Sequence, residues 1–327
     1  MNCLCCGKPL SEPLTSEELR TRWHLKCVKR FFGTKKLPEI ELSEKKLEQL
    51  AIECTSKGYT VPGVQKKLSL HLTSEDGDSP RLTLINYPTG YILKPQAKEF
   101  PALPEAEYLI MQMAEATKIK TVPFALVHSG ADDELAYITK RIDRVHGSLL
   151  AMEDFCQLEY RLTADKYKSS YERCAKVIDK YSESPGLDKT ELFIRIVFSF
   201  AVGNSDMHLK NFSLVESEEG STSYQLSDAY DLLPVNVIMP ADTEELALTL
   251  GGKKRNLRRN DFLKYAKSIG IDQKPAEKMI AKIVLMKDEY IRMCRKSFLP
   301  AAMKNSLEQL ICERICRLTG SVQSSMP

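Results

Sequence analysis

The sequence has no uninterrupted apolar run of about 18 residues, no G-x-G-x-x-G phosphate fingerprint, and one tryptophan in 327 residues. Without a long apolar run, no membrane-spanning helix and no membrane partner are expected. The first thirty residues turn polar after Leu10, so they lack the apolar centre of a secretory signal. The expectation is a soluble, cytoplasmic chain. No internal repeat or low-complexity tract is present, only the polar tail SVQSSMP, which excludes solenoid and fibrous architectures. What is present is 43% hydrophobic and 28% charged residues, enough to bury a sizeable core in two lobes or domains. Ten cysteines in a chain without an export signal argue for reduced thiols, some of them metal-binding, rather than a disulfide framework.

Charge is unevenly placed. The formal net charge of +3 conceals +5 over residues 1–36, −12 over residues 37–250 and +10 over residues 251–327. Basic ends around an acidic middle suit contact with an acidic partner such as nucleic acid or a nucleic-acid enzyme; solvated helix faces explain them equally well. The densest basic run, GGKKRNLRRN (251–260), has no aromatic residue interleaved. That favours a solvated loop leading into a helix over single-strand binding, with docking to a tRNA-bound enzyme or operator DNA as the alternative.

Composition shifts near Lys35, Lys36 and Pro38, after which residues 41–54 (ELSEKKLEQLAIEC) carry apolar residues at helical spacing behind Ser43. Short alternating segments follow, KKLSLHL, PRLTLINY, GYILK and LAYITKRI, separated by Gly, Pro, Asp and Ser, and these predict an antiparallel sheet. Between the third and fourth, PEAEYLIMQMAEAT predicts a helix after Pro104. From about Ala151 the chain reads as helical, through MEDFCQLE, SSYERCAKVIDKY, DKTELFIRIVFSFAVG and further helices after Arg259. This is an α+β pattern with a β-rich first lobe and an all-helical second one, and a site between them is the default expectation. The expected divisions are 1–38, a Cys/His extension; 39–145, the β-rich lobe; and 146–327, the helical lobe.

The chemistry concentrates in GNSDMHLKNF (203–212), where Asp206 is followed five residues later by Asn211, and Asp231 stands twenty residues beyond, after the expected strand SYQLSDAY. Asp-x4-Asn with a downstream strand-end Asp is the spacing of a kinase catalytic loop and its metal-binding aspartate. The aspartate must sit near an attacking hydroxyl, while an amide oxygen and a second carboxylate hold the Mg2+ that bridges ATP phosphates. On the β-rich side, Lys94 lies in an apolar strand where an ammonium needs a reason, and Glu107 opens the next helix thirteen residues later. Such a pair aims a cation at the α/β-phosphates; the bland alternative is a salt bridge on a sheet edge.

At the amino terminus, Cys3 and Cys6 form a CxxC pair, and His24 and Cys27 an HxxC pair, with Trp23, Phe31 and Phe32 nearby. Two such pairs complete a tetrahedral site for structural Zn2+, which would supply folding energy to a segment too short to bury much core. Cys5 leaves the choice of thiols ambiguous. Cys312 and Cys316, four apart on an apolar helix, read as core.

The run TVPGVQKK followed by ILKP, AEYLIMQMAEA, KRIDR, MEDFCQ, NSDMHLKNFSL and AYDLLP resembles the HipA-like toxin kinases, specifically the short HipT type, over roughly residues 55–320. The resemblance implies a two-lobed protein-kinase-like fold. It also implies a Ser/Thr protein kinase toxin of a bacterial type II toxin–antitoxin module, which phosphorylates an aminoacyl-tRNA synthetase, the glutamyl or tryptophanyl enzyme, and so stops translation. It makes Asp206 the catalytic aspartate, Asn211 and Asp231 the Mg2+ ligands, and Lys94 the phosphate-holding lysine. His208 and Lys210 would assist phosphate or substrate contacts. Lys140 to Ile142 would form the hinge against adenine and Asp143 the ribose contact, although HipA has Glu and Phe where Lys140 and Ile142 stand. The loop Val61, Pro62, Gly63, Val64, Gln65 and Lys67 would cover the phosphates, with Thr60 as a single autophosphorylation site, since Pro62 replaces the second hydroxyl of HipT proteins. A phosphate on Thr60 would repel those of ATP. Met152, Glu153, Asp154 and Gln157 match a structural signature of the second lobe. HipA proteins carry a further amino-terminal subdomain that has no counterpart here, so a HipS-like small protein and a HipB-like DNA-binding antitoxin are the expected partners, with DNA contacted only through the antitoxin. The rival readings are a catalytically weak kinase-fold subunit of an antitoxin/DNA complex, and a small-molecule phosphotransferase.

Overall fold

Strands form where short apolar, β-branched runs alternate or lie buried on both faces. β1 (Leu68–Thr73), β2 (Arg81–Thr83), β3 (Tyr91–Lys94), β4 (Phe124–His128) and β5 (Leu135–Lys140) build one antiparallel sheet in the order β2-β1-β3-β5-β4. The computed structural model describes residues 1–39, 67–73, 80–83, 90–129, 134–145 and 148–320. The helix expected over 41–54 and the loop from Thr60 to Gln65 lie outside them. Four strands match the expected segments, and β4 is an addition: FALVH lacks the alternation that marks a half-buried strand, because it is buried almost throughout.

The reason for that burial lies at the amino terminus. β4 ends the sheet, yet the N–H of Leu126 donates to the carbonyl of Leu4 at 2.9 Å, and the indole N–H of Trp23 donates to the carbonyl of Leu126 at 3.0 Å. An edge strand that would offer unpaired backbone to any passing chain is covered by the chain's own first residues. These comprise a turn closed by Cys3 N–H to Lys8 O and Gly7 N–H to Cys3 O, then α1 (Ser16–Thr21) behind a Thr15–Glu18 capping box, then α2 (Leu25–Phe32) ended by Gly33. Trp23, Phe31 and Phe32 pack with Tyr91 of β3, ring centroids 4.8–6.0 Å apart. The amino-terminal segment therefore shares a core with the sheet. It falls in one compact unit with it, Met1–Tyr108 plus Val122–Gly147.

The second unit, Leu109–Thr121 plus Ser148–Pro327, is mostly helical. α3 (Leu103–Ala116) begins in the first unit and ends in the second. The signature MEDFCQ, expected as helix, splits: β6 (Met152–Asp154) is strand and α4 (Phe155–Leu158) helix, with Asp154 and Gln157 forming a reciprocal capping box at the junction. β6, β7 (Ser213–Glu216) and β8 (Tyr224–Leu226) make a three-stranded antiparallel sheet among the helices, with β7 central. Around it stand α5 (Tyr171–Tyr181), capped by Ser170, and α6 (Pro185–Val202), with Pro185 in its first turn. α7 (Val235–Ile238), α8 (Arg259–Ser268), α9 (Gln273–Leu285), α10 (Lys287–Lys296) and α11 (Ala301–Thr319) follow. α6 is buried from Leu192 to Val202, and α5, α9 and α11 pack against it. Cys312 and Cys316, expected in the core, lie half-buried on α11 because the buried stripe runs through Leu307, Ile311, Ile315 and Leu318. Among the described residues, no helix is long and apolar enough to cross a membrane.

Candidate functional site

α6 has to stop abruptly for the following loop to reach the surface, and Gly203 stops it at φ +72°, in the left-handed region. The loop that follows is held from several sides. The side-chain amide of Asn236 donates to the Ser205 hydroxyl at 3.3 Å and to the carbonyls of Asp242 and Glu244 at 3.1 and 2.9 Å, while Ser205 donates to Asp242 at 2.6 Å. Tyr171 donates to the carbonyl of Met207 at 3.1 Å from inside the core. Asp206 thus projects from a rigid frame with its carboxylate 41% exposed.

Asn211 ends the short turn after Asp206 and is buried. Its amide nitrogen donates to the carbonyl of Asp206 at 2.8 Å, which turns its oxygen away as the free acceptor end of the side chain. Tyr230 ties the segment preceding Asp231 to this loop, donating to the carbonyl of Lys210 at 3.1 Å and accepting from the Ser213 hydroxyl at 2.5 Å. Asp231 itself has φ +61°, a strained backbone for an aspartate and a feature that clusters at functional sites. The amide oxygen of Asn211 and the carboxylate of Asp231 are hard oxygen donors of the kind Mg2+ selects.

Lys210 and His208, in the same loop, are also engaged. Lys210 Nζ lies 2.5 Å from Asp154 Oδ2, while Asp154 Oδ1 accepts the N–H of Gln157. One aspartate therefore caps α4 and holds the loop lysine. His208 is buried, its Nε2 4.0 Å from Asp206 Oδ1 and its ring packed edge-on against Tyr167 at 4.9 Å. Tyr167 donates to Asp206 Oδ1 at 2.5 Å. Neither Tyr167 nor the Asn236–Asp242 brace carried any sequence signal, since single polar residues in loops belong to no spacing pattern.

In the first unit, Lys94 on β3 and Glu107 on α3 meet at 2.5 Å with side chains 4% and 1% exposed, so the pair is core and not a sheet-edge salt bridge. Lys94 Nζ also sits 5.3 Å from the ring centre of Tyr137. Lys140 ends β5 opposite Tyr91, and burial lowers its pKa. Ile142 is half-buried. Asp143 is buried and accepts from Arg141 at 2.9 and 2.7 Å and from Arg144 at 2.6 Å; these charges outweigh the burial that opposes ionisation and keep its pKa low. Lys67 directly precedes β1, half-buried. Thr60, Val61, Pro62, Gly63, Val64 and Gln65 are outside the described residues. In the basic run, Lys253 pairs with Asp261 and Lys254 with Glu244, as a solvated loop would.

A second cluster stands at the amino terminus. The ligand atoms of Cys3, Cys6, His24 and Cys27 all lie within 4.8 Å of one another. Cys6 Sγ and Cys27 Sγ are 3.5 and 3.8 Å from His24 Nδ1, close to the edges of a tetrahedron with Zn–N and Zn–S bonds of about 2.0 and 2.3 Å. His24 Nε2 lies 3.2 Å from the carbonyl of Pro9, a hydrogen bond that orients the ring with Nδ1 toward the thiols. Burial, then the neighbouring thiols, push Cys27 upward, the disfavour that a cation at the centre reverses. Cys5 is not one of these four: its sulfur lies 3.9 Å from Arg30 Nη2, and burial pushes it up to about 11.

A buried lysine–glutamate pair on an antiparallel sheet, followed by a mostly helical unit carrying the Asp206–Asn211 loop and Asp231, defines the α+β HipA-like kinase fold. The chain belongs to the HipA-like C-terminal domain family, whose profile matches residues 59–289. A Haemophilus influenzae protein named "Putative kinase" is 26% identical over 271 residues, 75% of this chain and 77% of that protein. "Putative kinase Y4dM" of Sinorhizobium fredii is 29% identical over 243 residues, which span 69% of this chain but 58% of the relative. Among solved structures, a chain of the Shewanella oneidensis MR-1 toxin–antitoxin complex of HipA, HipB and operator DNA superposes with a TM-score of 0.65 at 18% identity. That match covers 80% of this chain and 65% of the other. The Helicobacter pylori proinflammatory kinase CtkA superposes with a TM-score of 0.54 at 16% identity, covering 81% and 95%.

Proposed function

We propose that this protein is a cytoplasmic, ATP- and Mg2+-dependent Ser/Thr protein kinase that acts as the toxin of a toxin–antitoxin module. The observation that carries the reading is the loop in which Asn211 spends its amide nitrogen on Asp206, leaving its oxygen for a metal while the Asp206 carboxylate faces outward. Asn211 and Asp231 hold Mg2+, which neutralises charge on the phosphates. Asp206 orients the acceptor hydroxyl and takes its proton as the hydroxyl oxygen bonds to the γ-phosphorus and the bond to the leaving ADP oxygen breaks. Lys94, fixed by Glu107, neutralises phosphate charge, and most of the acceleration comes from such positioning.

The family and the resemblance to the HipT type support the finer reading: an aminoacyl-tRNA synthetase as the protein substrate, Thr60 as the autophosphorylated residue, and HipB-like and HipS-like partners. The convergence of the Cys3, Cys6, His24 and Cys27 ligand atoms within 4.8 Å of one another supports a structural Zn2+. Incubation with radiolabelled ATP and Mg2+, alone and with host lysate, tests the kinase. Asp206→Asn should lower transfer by about 10²-fold or more while ATP still binds, and Asp231→Asn should weaken metal-dependent nucleotide binding. Transfer by Asp206→Asn at the wild-type rate would assign Asp206 another role.

A further inference from the structure

The loop between α4 and α5 does more than connect them. Glu159 gathers its ends, accepting from Ser169 at 2.9 and 3.0 Å and from Arg161 at 2.7 Å, and the N–H of Leu209 donates to the carbonyl of Lys166 at 3.2 Å. The loop is thereby stitched to the segment carrying Asp206, with Tyr167 beside it. The Tyr167 ring is held by the His208 edge at 4.9 Å and by Lys166 Nζ 5.0 Å from its centre, and its hydroxyl donates to Asp206 Oδ1 at 2.5 Å. Tyr167 and the Asp206 side chain are 40% and 41% exposed, so this is a contact on the open face, where an incoming protein segment would arrive.

We infer that Tyr167 is an internal stand-in for the acceptor hydroxyl, a gate that occupies Asp206 until a substrate displaces it. The inference rests on the kinase reading above. In phosphoryl transfer the catalytic carboxylate accepts the proton of the attacking hydroxyl. A phenol donating to the same oxygen satisfies the same acceptor, so phenol and substrate compete. Burial, and then the Asp206 carboxylate, hold the Tyr167 phenol above its ordinary range, so it keeps its proton and remains a donor at neutral pH. As a neutral aromatic side chain on a surface loop, it can swing out without uncovering a core charge.

Tyr167→Phe tests the gate, because it keeps the ring against His208 and removes only the oxygen. Phosphoryl transfer from ATP to dephosphorylated casein, to host lysate and to water would be measured for both proteins, with thermal melting as the check on folding. A hydrogen bond to a carboxylate is worth enough to shift acceptor binding about tenfold. The expected result is a roughly tenfold lower acceptor KM with the KM for ATP unchanged. An unchanged or higher acceptor KM, or a fall in kcat, would overturn the gate and make Tyr167 a positioning residue for Asp206. A phosphate found on Tyr167 by mass spectrometry would also overturn it, making the residue an acceptor. If neither protein transfers phosphate to any acceptor although ATP binds, the kinase reading itself fails and the gate with it, a result distinct from an active wild type matched by its variant.

Discussion

Replacing Lys94 by methionine strips the ammonium from a carboxylate that stays in the core. Lys94 Nζ lies 2.5 Å from Glu107 Oε1, and the two residues are 4% and 0% exposed. At that separation and an effective dielectric of about 20, the gross Coulomb attraction is roughly 7 kcal/mol. Removing both ions from water costs several kcal/mol each, so the intact pair contributes little net stability. Breaking it is another matter: a buried charge deprived of its counter-ion costs about 3–5 kcal/mol. At about 2 °C per kcal/mol for a chain of this length, Lys94→Met should lower the melting temperature by roughly 6–10 °C. Lys94→Met combined with Glu107→Met removes both charges and should recover most of that loss. Both variants should lose nucleotide binding alike, because the lysine is absent from each. Thermal melts across the double-mutant cycle, with calorimetric titration of ATP, separate the stabilising role from the binding role. A single variant within about 1 kcal/mol of the wild type, or a double variant no more stable than the single, would refute the argument.

Zinc should be found at one equivalent per chain by native mass spectrometry, and chelation or Cys6→Ser should both lower the melting temperature and promote self-association, because the module so released is what covers β4; a chelated protein that melts like the untreated one would overturn this. Glu245 accepts from Arg317 at 2.7 and 2.9 Å and from the N–H of Leu257 at 2.8 Å, and Arg314 approaches at 3.3 Å. Burial opposes ionisation, but these partners outweigh it and hold the carboxyl below its ordinary value of 4.5. The stability it contributes is therefore present above about pH 4.5 and lost as the pH falls through the lower folded value. Glu245→Gln should cost about 3 kcal/mol at pH 7, and the gap to the wild type should narrow toward pH 3 in denaturant titrations; a gap independent of pH would exclude the linkage.

The sequence alone determined the features that rest on local patterns. Alternating segments predicted β1, β2, β3 and β5; SSYERCAKVIDKY and DKTELFIRIVFSFAVG predicted α5 and α6, the second of which starts three residues earlier, at Pro185; and the spacings of Asp206, Asn211 and Asp231, and of Cys3, Cys6, His24 and Cys27, singled out the candidate residues, because ligand geometry over a short loop is set by residue separation. MEDFCQ defeated that reading, since Met152–Asp154 is drawn into strand by β7, a partner sixty residues away. β4 escaped it for the same kind of reason: its pattern is set by Leu4 and Trp23, which cover it from the far end of the chain. Only the tertiary structure decided that Lys94 and Glu107 are a buried pair, that Lys210 is held by Asp154, that Asp143 is gripped by two arginines and that Tyr167 rests on Asp206. Each depends on which charged or polar side chains are brought together across long stretches of chain, and on how much water is excluded there. Residue type and spacing carry neither quantity.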